Sequence, residues 1–552
     1  MTLLTQLPIW NSLSEQAKSL NDFSVAREFS QDPERFNRYS VEAAGLLLDY
    51  SKQKINTSIF TSLLELAKQR NLKPAIEALF KGECVNTTEA LPALHTALRS
   101  SSTKTLNVNQ HDIVPEIQAC LEKMRAVAED ISSGRYKGHS GKKISDVVNI
   151  GVGGSDLGPA MVYDALESYN HTGIKAHFIS NLDSYHLDLV LKNLNPETTL
   201  FIIVSKSFST QETQLNATLA RQWLINSASI PLTESQISQH FFAVTARAQL
   251  ARELGISAEH IFPIWDWVGG RFSVWSAVGL ILIICLGMDN FKQFLRGAEL
   301  IDQHFLEAEF SNNMPVILAL LGIWNQNFLG AHSQAIIPYD QRLSLLPNYL
   351  QQLLMESLGK KVTTHQQIVD YTTGVVIWGG VGTNSQHAFH QLFMQGTQWV
   401  PIDFIISMSS TRAANQYHSH LVANCLSQAR TLMQGKNKEE SVAELLAKNY
   451  EAAKAEALAS YLVISGSCSS NIILMEALTP AALGALLALY EHMCYVQAVI
   501  WDIDPFDQWG VEWGKKLARE ILQNLATPTN SYDASTSGLL KKYQQFLNKE
   551  LK

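Results

Sequence analysis

The chain has 552 residues, 46% hydrophobic and 17% charged, with a formal net charge of -8. That length and composition allow a large core shared by at least two α/β domains with helical additions, and the acidic balance argues against a nucleic-acid partner. An anionic ligand would need a locally positive pocket. The opening MTLLTQLPIW lacks the basic segment and apolar stretch of a signal peptide. Cys84, Cys120, Cys285, Cys425, Cys468 and Cys494 form no C-x-x-C pair and no zinc spacing, so a reduced, cytoplasmic compartment is expected.

Residues 1–114 carry helix-period leucines and alanines without a clear strand, then a loop or arm over Ser100 to Asp112, which predicts a helical N-terminal region. Strand-like runs at Val147 to Ile150, His177 to Ile179, Leu200 to Val204 and Phe241 to Val244 alternate with helical stretches, the pattern of a parallel sheet, and define a first α/β domain over 115–288. Its apolar run from Ala277 to Met288 is too short to cross a bilayer and reads as a buried helix. A second α/β domain, 289–506, has strands expected at Ala335 to Ile337, Val375 to Trp378, Ile402 to Ile406 and Leu462 to Ile464, then a long helix opening at Thr479 and Pro480. A helical tail, 507–552, is interrupted by the turn-rich TPTNSYDASTSG, Thr527 to Gly538.

Two strands of the first domain end in loops suited to phosphate. Val147 to Ile150 runs into GVGGSDLGP, whose glycines, Gly154 among them, permit close backbone approach, and Ser155 or Asp156 can cap the next helix. The dinucleotide fingerprint G-x-G-x-x-G fails because its third glycine falls on Asp156, so a smaller phosphate ester is favoured over a nucleotide. Leu200 to Val204 runs into SKSFSTQET, where Ser205, Lys206, Ser207, Ser209 and Thr210 crowd a strand end and Ser209 with Glu212 has the form of a capping box. Taken alone, this loop suits either a phosphate or an ordinary helix start.

Further along, Arg271 in DWVGGRFSVWSAVG is either a structural bridge or a fixed cation in a cleft. Glu356, in a helix expected from Pro347 to about Gly359, is either a sheltered base or a last-turn surface glutamate. His387 suits acid–base work better than metal binding, because His390 is its only nearby companion ligand. Lys515 shares a helical stripe with Val511, Ala518 and Leu522, which points it inward unless only its stem is buried.

Together GVGGSDLGP, SKSFSTQET, DWVGGRFSVWSAVG, MESLGK, GTNSQHAF and FDQWGVEWGK, with LHTALR (Leu94 to Arg99) and YDASTSGLL, resemble the glucose-6-phosphate isomerase family across nearly the whole chain. The resemblance implies two tandem SIS-type α/β/α sandwich domains with parallel sheets, a helical N-terminal region and a helical tail. It implies that Ser205, Lys206, Ser207 and Thr210 hold a phosphate, that Gly154 and Ser155 line the site, and that Gln508 positions the substrate. Glu356 would be the base moving a proton between C1 and C2, Arg271 would stabilise the enediolate, and His387 with Lys515 would assist ring opening. No metal or redox cofactor, nucleic acid or membrane is implied. The implied assembly is a homodimer with His387 acting in the partner's site. The chain departs from the family pattern at Leu358, Val381, Ser385 and His390. A non-catalytic sugar-phosphate sensor and an isomerase for another phosphosugar, such as mannose 6-phosphate, are the alternatives; a sensor has no use for Glu356, Arg271 and Lys515 together.

Overall fold

Short apolar runs bounded by turn residues build two large sheets, and the arm expected over Ser100 to Asp112 closes a two-stranded ribbon, Asn107–Val108 on His111–Asp112, in a computed structural model that describes residues 3–20, 22–228, 230–410, 416–525 and 532–550. The chain divides into two compact units, Met1–Pro505 and Phe506–Lys552, and both sheets lie in the first.

The N-terminal region is largely helical, and it adds a hairpin that the helix-period leucines did not foretell. Strands β1 (Ser40–Ala43) and β2 (Leu46–Asp49) turn through Ala44 and Gly45, both at positive φ. The Leu46 to Leu48 run is strand because β2 pairs antiparallel with the far end of the second sheet, a partner that local propensity cannot reveal.

The first sheet holds β3 (Asp146–Ile150), β4 (Lys175–Ile179), β5 (Thr199–Val204), β6 (Phe241–Thr245) and β7 (Ile261–Pro263) in the order β4-β3-β5-β6-β7, all parallel. Every residue of β5 is buried, as a strand covered on both faces requires. Chain direction across the sheet reverses between β3 and β5. The loops leaving Ile150 and Val204 therefore share the topological switch point, where open α/β sheets bind ligands.

The second sheet adds β8 (Ser333–Pro338), β9 (Val376–Gly379), β10 (Ile402–Ser407) and β11 (Ser470–Met475), ordered β1-β2-β11-β10-β8-β9. Its four later strands are parallel. The last differs from expectation. Leu462 ends a short 3₁₀ turn and Ile464 makes only an isolated bridge to Lys436, whereas the strand is SNIILM, with Ile472 and Ile473 in register with Phe404 and Ile405. Two short apolar runs lay close together, and only the one that could align with β10 became strand.

The apolar run after Arg271 forms a buried 3₁₀ turn, Ala277–Gly279, and a buried helix, Leu280–Leu286. Thr479 caps the helix Pro480–Trp501 by accepting from the Ala482 N–H at 3.1 Å. That helix is long and apolar enough to cross a membrane, yet its most apolar window is 94% buried inside the protein, packed on Met288–Glu307. The second unit carries helices Glu512–Gln523 and Ala534–Glu550. Of the turn-rich stretch, Thr527 to Ser531 lie outside the described residues; Ala534 to Gly538 are helical because Asp533 accepts from the Ser535 and Thr536 N–H groups and starts the helix.

Candidate active site

The loop after β3 turns through Gly153–Ser155 and lies directly on the turn Gly270–Phe272 that carries Arg271. Gly154 makes this approach possible: a Cβ there would sit 2.0 Å from the Gly270 carbonyl oxygen. A Cβ on Gly153 would sit 2.9 Å from Nε2 of Gln352, so a third segment reaches the same place. Ser155 is half-buried, its carbonyl accepting from Asn149 Nδ2 at 2.9 Å. Asp156 occupies the N-cap position of the helix Leu157–Leu166, but its side chain makes no capping bond. Instead it is buried with one oxygen lacking a partner, and burial pushes its carboxyl up to about 6 against a hydrogen bond from Ser180.

The loop after β5 gathers hydroxyls. Ser205 Oγ lies 3.2 Å from Thr210 Oγ1, and Ser207 Oγ accepts from the Ser209 N–H at 3.3 Å and from the Ser209 hydroxyl at 3.0 Å. The expected capping box is absent. The helix Gln211–Ser227 starts after Thr210, whose side chain makes no cap bond, because Ser209 is engaged with Ser207 instead. Lys206 extends its ammonium to the carbonyls of Asp266 (2.8 Å) and Val268 (3.1 Å), tying this loop to the segment that leads into Arg271. Burial lowers the Lys206 pKa from its ordinary value, with Asp266 opposing.

Glu356 ends a wide π-helical turn, Gln351–Glu356, that follows a short α-helix, Leu346–Leu350. The helix expected from Pro347 to about Gly359 is present over Leu346 to Leu358, widened in its middle. Leu353 and Leu354 are buried while the Glu356 side chain stays 25% exposed. Its Oε2 lies 3.4 Å from Arg271 Nη1 and accepts from Gln352 Nε2 at 3.1 Å. Arg271 itself is buried; its Nε donates to Ser357 Oγ at 2.6 Å and its Nη2 to the Pro505 carbonyl. A guanidinium held by neutral acceptors on two edges presents the third to a carboxylate, a fixed cation beside a candidate base.

Of the residues singled out in the sequence, Gly154, Arg271 and Glu356 converge, and Lys206 links the Ser205, Ser207 and Thr210 loop to the same segment. His387 lies exposed at the end of the turn Asn384–His387 and makes no hydrogen bond or ion pair with them. His390 is buried between Ser385 (3.2 Å) and Gln428 (3.0 Å), a structural placement. Gln508 and Lys515 belong to the second unit. Within the second unit the inward reading of Lys515 finds no support: it pairs with Glu512 at 2.6 Å, and the helix Glu512–Gln523 has no buried residue. Periodicity identified an apolar stripe, not what covers it. Two contributors escaped notice. Gln352 stands four residues before Glu356, a spacing that places side chains on one helical face and could have found it; nothing in the spacing points to Ser357. Among the described residues no group of three or more His, Cys, Asp or Glu is placed to hold a metal.

One parallel sheet, one mixed sheet with four parallel strands, a hydroxyl-lined switch point and an arginine–glutamate pair define the α/β class of this protein. The family profile described as phosphoglucose isomerase matches residues 49–540. A glucose-6-phosphate isomerase of Coxiella burnetii (strain CbuG_Q212) is 49% identical over 539 residues, covering 97% of this chain and 98% of its own, and one of Shewanella baltica (strain OS185) is 46% identical over 547 residues, 99% of each. The crystal structure of a glucose-6-phosphate isomerase from Chlamydia trachomatis superposes with a TM-score of 0.85 at 29% identity, over 99% of this chain and 100% of that one. The chain belongs to the phosphoglucose isomerase family.

Proposed function

We propose that this chain interconverts D-glucose 6-phosphate and D-fructose 6-phosphate, an aldose–ketose isomerisation serving glycolysis and gluconeogenesis. The observation that carries the chemistry is the Glu356 carboxylate, a quarter exposed and 3.4 Å from a buried guanidinium. Isomerisation opens the ring, removes the C2 proton of the aldose and returns a proton to C1. Glu356 serves both transfers as one carboxylate working on one face. As the proton leaves C2, the C1 carbonyl oxygen gains charge, and Arg271, already oriented by Ser357 and the Pro505 carbonyl, stabilises that enediolate more than the substrate. Ser205, Lys206, Ser207 and Thr210 hold the phosphate, with Gly154 and Ser155 beside them; Gln352 orients Glu356. Gln508 positions the sugar, and His387 with Lys515 assists ring opening. One carboxylate and one fixed cation suffice for this proton transfer. A sensor would need the hydroxyl loop but gains nothing from a base aligned on an arginine.

A coupled assay of fructose 6-phosphate conversion tests the reading, and activity that persists with a chelator present meets the expectation. A chain that binds fructose 6-phosphate without turning it over would overturn it in favour of a sensor.

The active assembly we propose is a cytoplasmic homodimer in which the exposed His387 completes the partner's site. Mixing the inactive variants Glu356→Gln and His387→Ala tests this. After subunit exchange, each mixed dimer regains one intact site, so activity rises to about a quarter of wild type if exchange is random. Histidine action within its own subunit predicts no recovery.

A further inference from the structure

A cavity of about 280 Å³ opens beside the Ser205 to Thr210 loop, between the helices Gln211–Ser227 and Ala248–Glu253. Its walls are apolar, formed by Ile203 on β5, Phe208 of the loop, Ala217, Leu250 and Leu254. Ser205, Thr213, Gln214, Thr218 and Glu253 add polar groups between them. Thr213, a residue 2% exposed, borders the cavity, while its hydroxyl is buried behind that wall without a hydrogen-bond partner. Glu253, exposed at the rim, sets a carboxylate there whose one neighbour is the Gln249 amide at 3.3 Å.

The cavity also touches the parts that shape the loop. Phe208 holds a left-handed backbone at φ 50°, uncommon for a bulky side chain, and its carbonyl accepts from Gln214 Nε2 at 2.7 Å. Phe208, Gln214 and Ser205 all line the cavity, so an occupant would press on the clamp that fixes the hydroxyl cluster.

We propose that this cavity is a regulatory site for a small apolar molecule bearing a primary ammonium group. The apolar body packs against Phe208, Ala217 and Leu254, and the ammonium sits at Glu253; the rim carboxylate turns away anions. Occupancy alters phosphate-ester affinity through Phe208 and Gln214, and the coupling is reciprocal. The regulatory half rests on the loop assignment made under Proposed function, whereas ligand binding does not.

The test uses the full-length protein with 2-phenylethylamine as probe and 2-phenylethanol as its neutral isostere, read by calorimetry and ligand-observed NMR. Saturable binding is expected at millimolar concentration. Glu253→Gln should weaken the amine about tenfold and leave both the alcohol and the probe-free isomerase activity unchanged, while Ala217→Leu, which fills the cavity, should abolish binding of both. Bound probe should change fructose 6-phosphate affinity, and fructose 6-phosphate should change probe affinity, by the same factor of at least about threefold. No saturable binding, binding indifferent to Glu253→Gln, or binding without mutual effect overturns the proposal. If Ala217→Leu does not fold, Glu253→Gln and the alcohol control decide. A chain that binds the probe but does not isomerise the sugar would defeat the reaction and keep the pocket; an active isomerase that ignores the probe would do the reverse.

Discussion

Arg99 and Arg271 are both buried, both beside aromatic rings and both paired with carboxylates, yet only Arg271 faces a carboxylate that stays partly open. Arg99 lies 4.6 Å over the Trp275 ring, gives Nε and Nη2 to Asp302 (2.8 and 2.7 Å) and Nη1 to Glu491, while Trp275 also donates to Glu491 at 2.8 Å and His492 meets Asp302 at 2.6 Å. Every member of that cluster is closed off from water. Burial pushes the Glu491 carboxyl up to about 7, and Arg99 opposes that rise, so the shared guanidinium is what offsets the two buried carboxylates. Around Arg271 two of the acceptors are neutral, and the carboxylate keeps a quarter of its surface open. The same residue types thus close on one another around Arg99 and leave one carboxylate accessible beside Arg271, which is the difference the proposed chemistry needs.

The strongest way to break this contrast is Glu356→Gln. It should lower kcat roughly 10³-fold with KM within about threefold, because shape is kept and the base is removed. Exchange of the substrate C2 proton with deuterated solvent reads the step directly, and wild-type exchange in the variant would end the assignment. Arg99→Leu should do the opposite: activity per folded molecule persists, while unfolding in urea shows a loss of about 3–4 kcal/mol, since Asp302 and Glu491 lose their counter-charge. A loss under about 1 kcal/mol would show that the cluster is not a structural keystone. Arg271→Lys sharpens the comparison, because an ammonium cannot reach Ser357, the Pro505 carbonyl and Glu356 at once. We expect kcat/KM to fall about 10²-fold, near 2.7 kcal/mol, with stability changed by less.

The smallest effect is expected at Asp156, whose folded-state pKa is raised to about 6 by burial. A raised carboxyl means that the folded chain holds its proton longer than the unfolded chain, so stability falls as pH rises from about 4 to about 6, by roughly 2 kcal/mol. Urea midpoints measured across that window should slope down in wild type and less so in Asp156→Asn. Parallel slopes would refute the assignment.

Much of this was legible in the sequence, for identifiable reasons. Thr199–Val204 is apolar at nearly every position because both faces are covered, and the hydroxyl-rich loop had to follow it; Gly154 stood out because nothing larger fits against Gly270. What stayed hidden depends on distant partners. The β1–β2 hairpin exists because of β11, more than 400 residues later. SNIILM became strand through its register with β10, and the stripe that carries Lys515 has no burying partner within its own unit, which nothing in the sequence reveals. The widening of the helix before Glu356 has no compositional sign at all.

That widened turn makes the Arg271–Glu356 geometry a matter of residue count. Helical positions advance by about 100° each, so removing a single amino acid between Leu350 and Leu353 would let the coil tighten to an ordinary pitch and swing the Glu356 carboxylate away from Arg271, although every side chain named here would survive. Indels in this stretch should therefore inactivate where most point substitutions do not, and an engineer reshaping the pocket should hold its length fixed before choosing its letters.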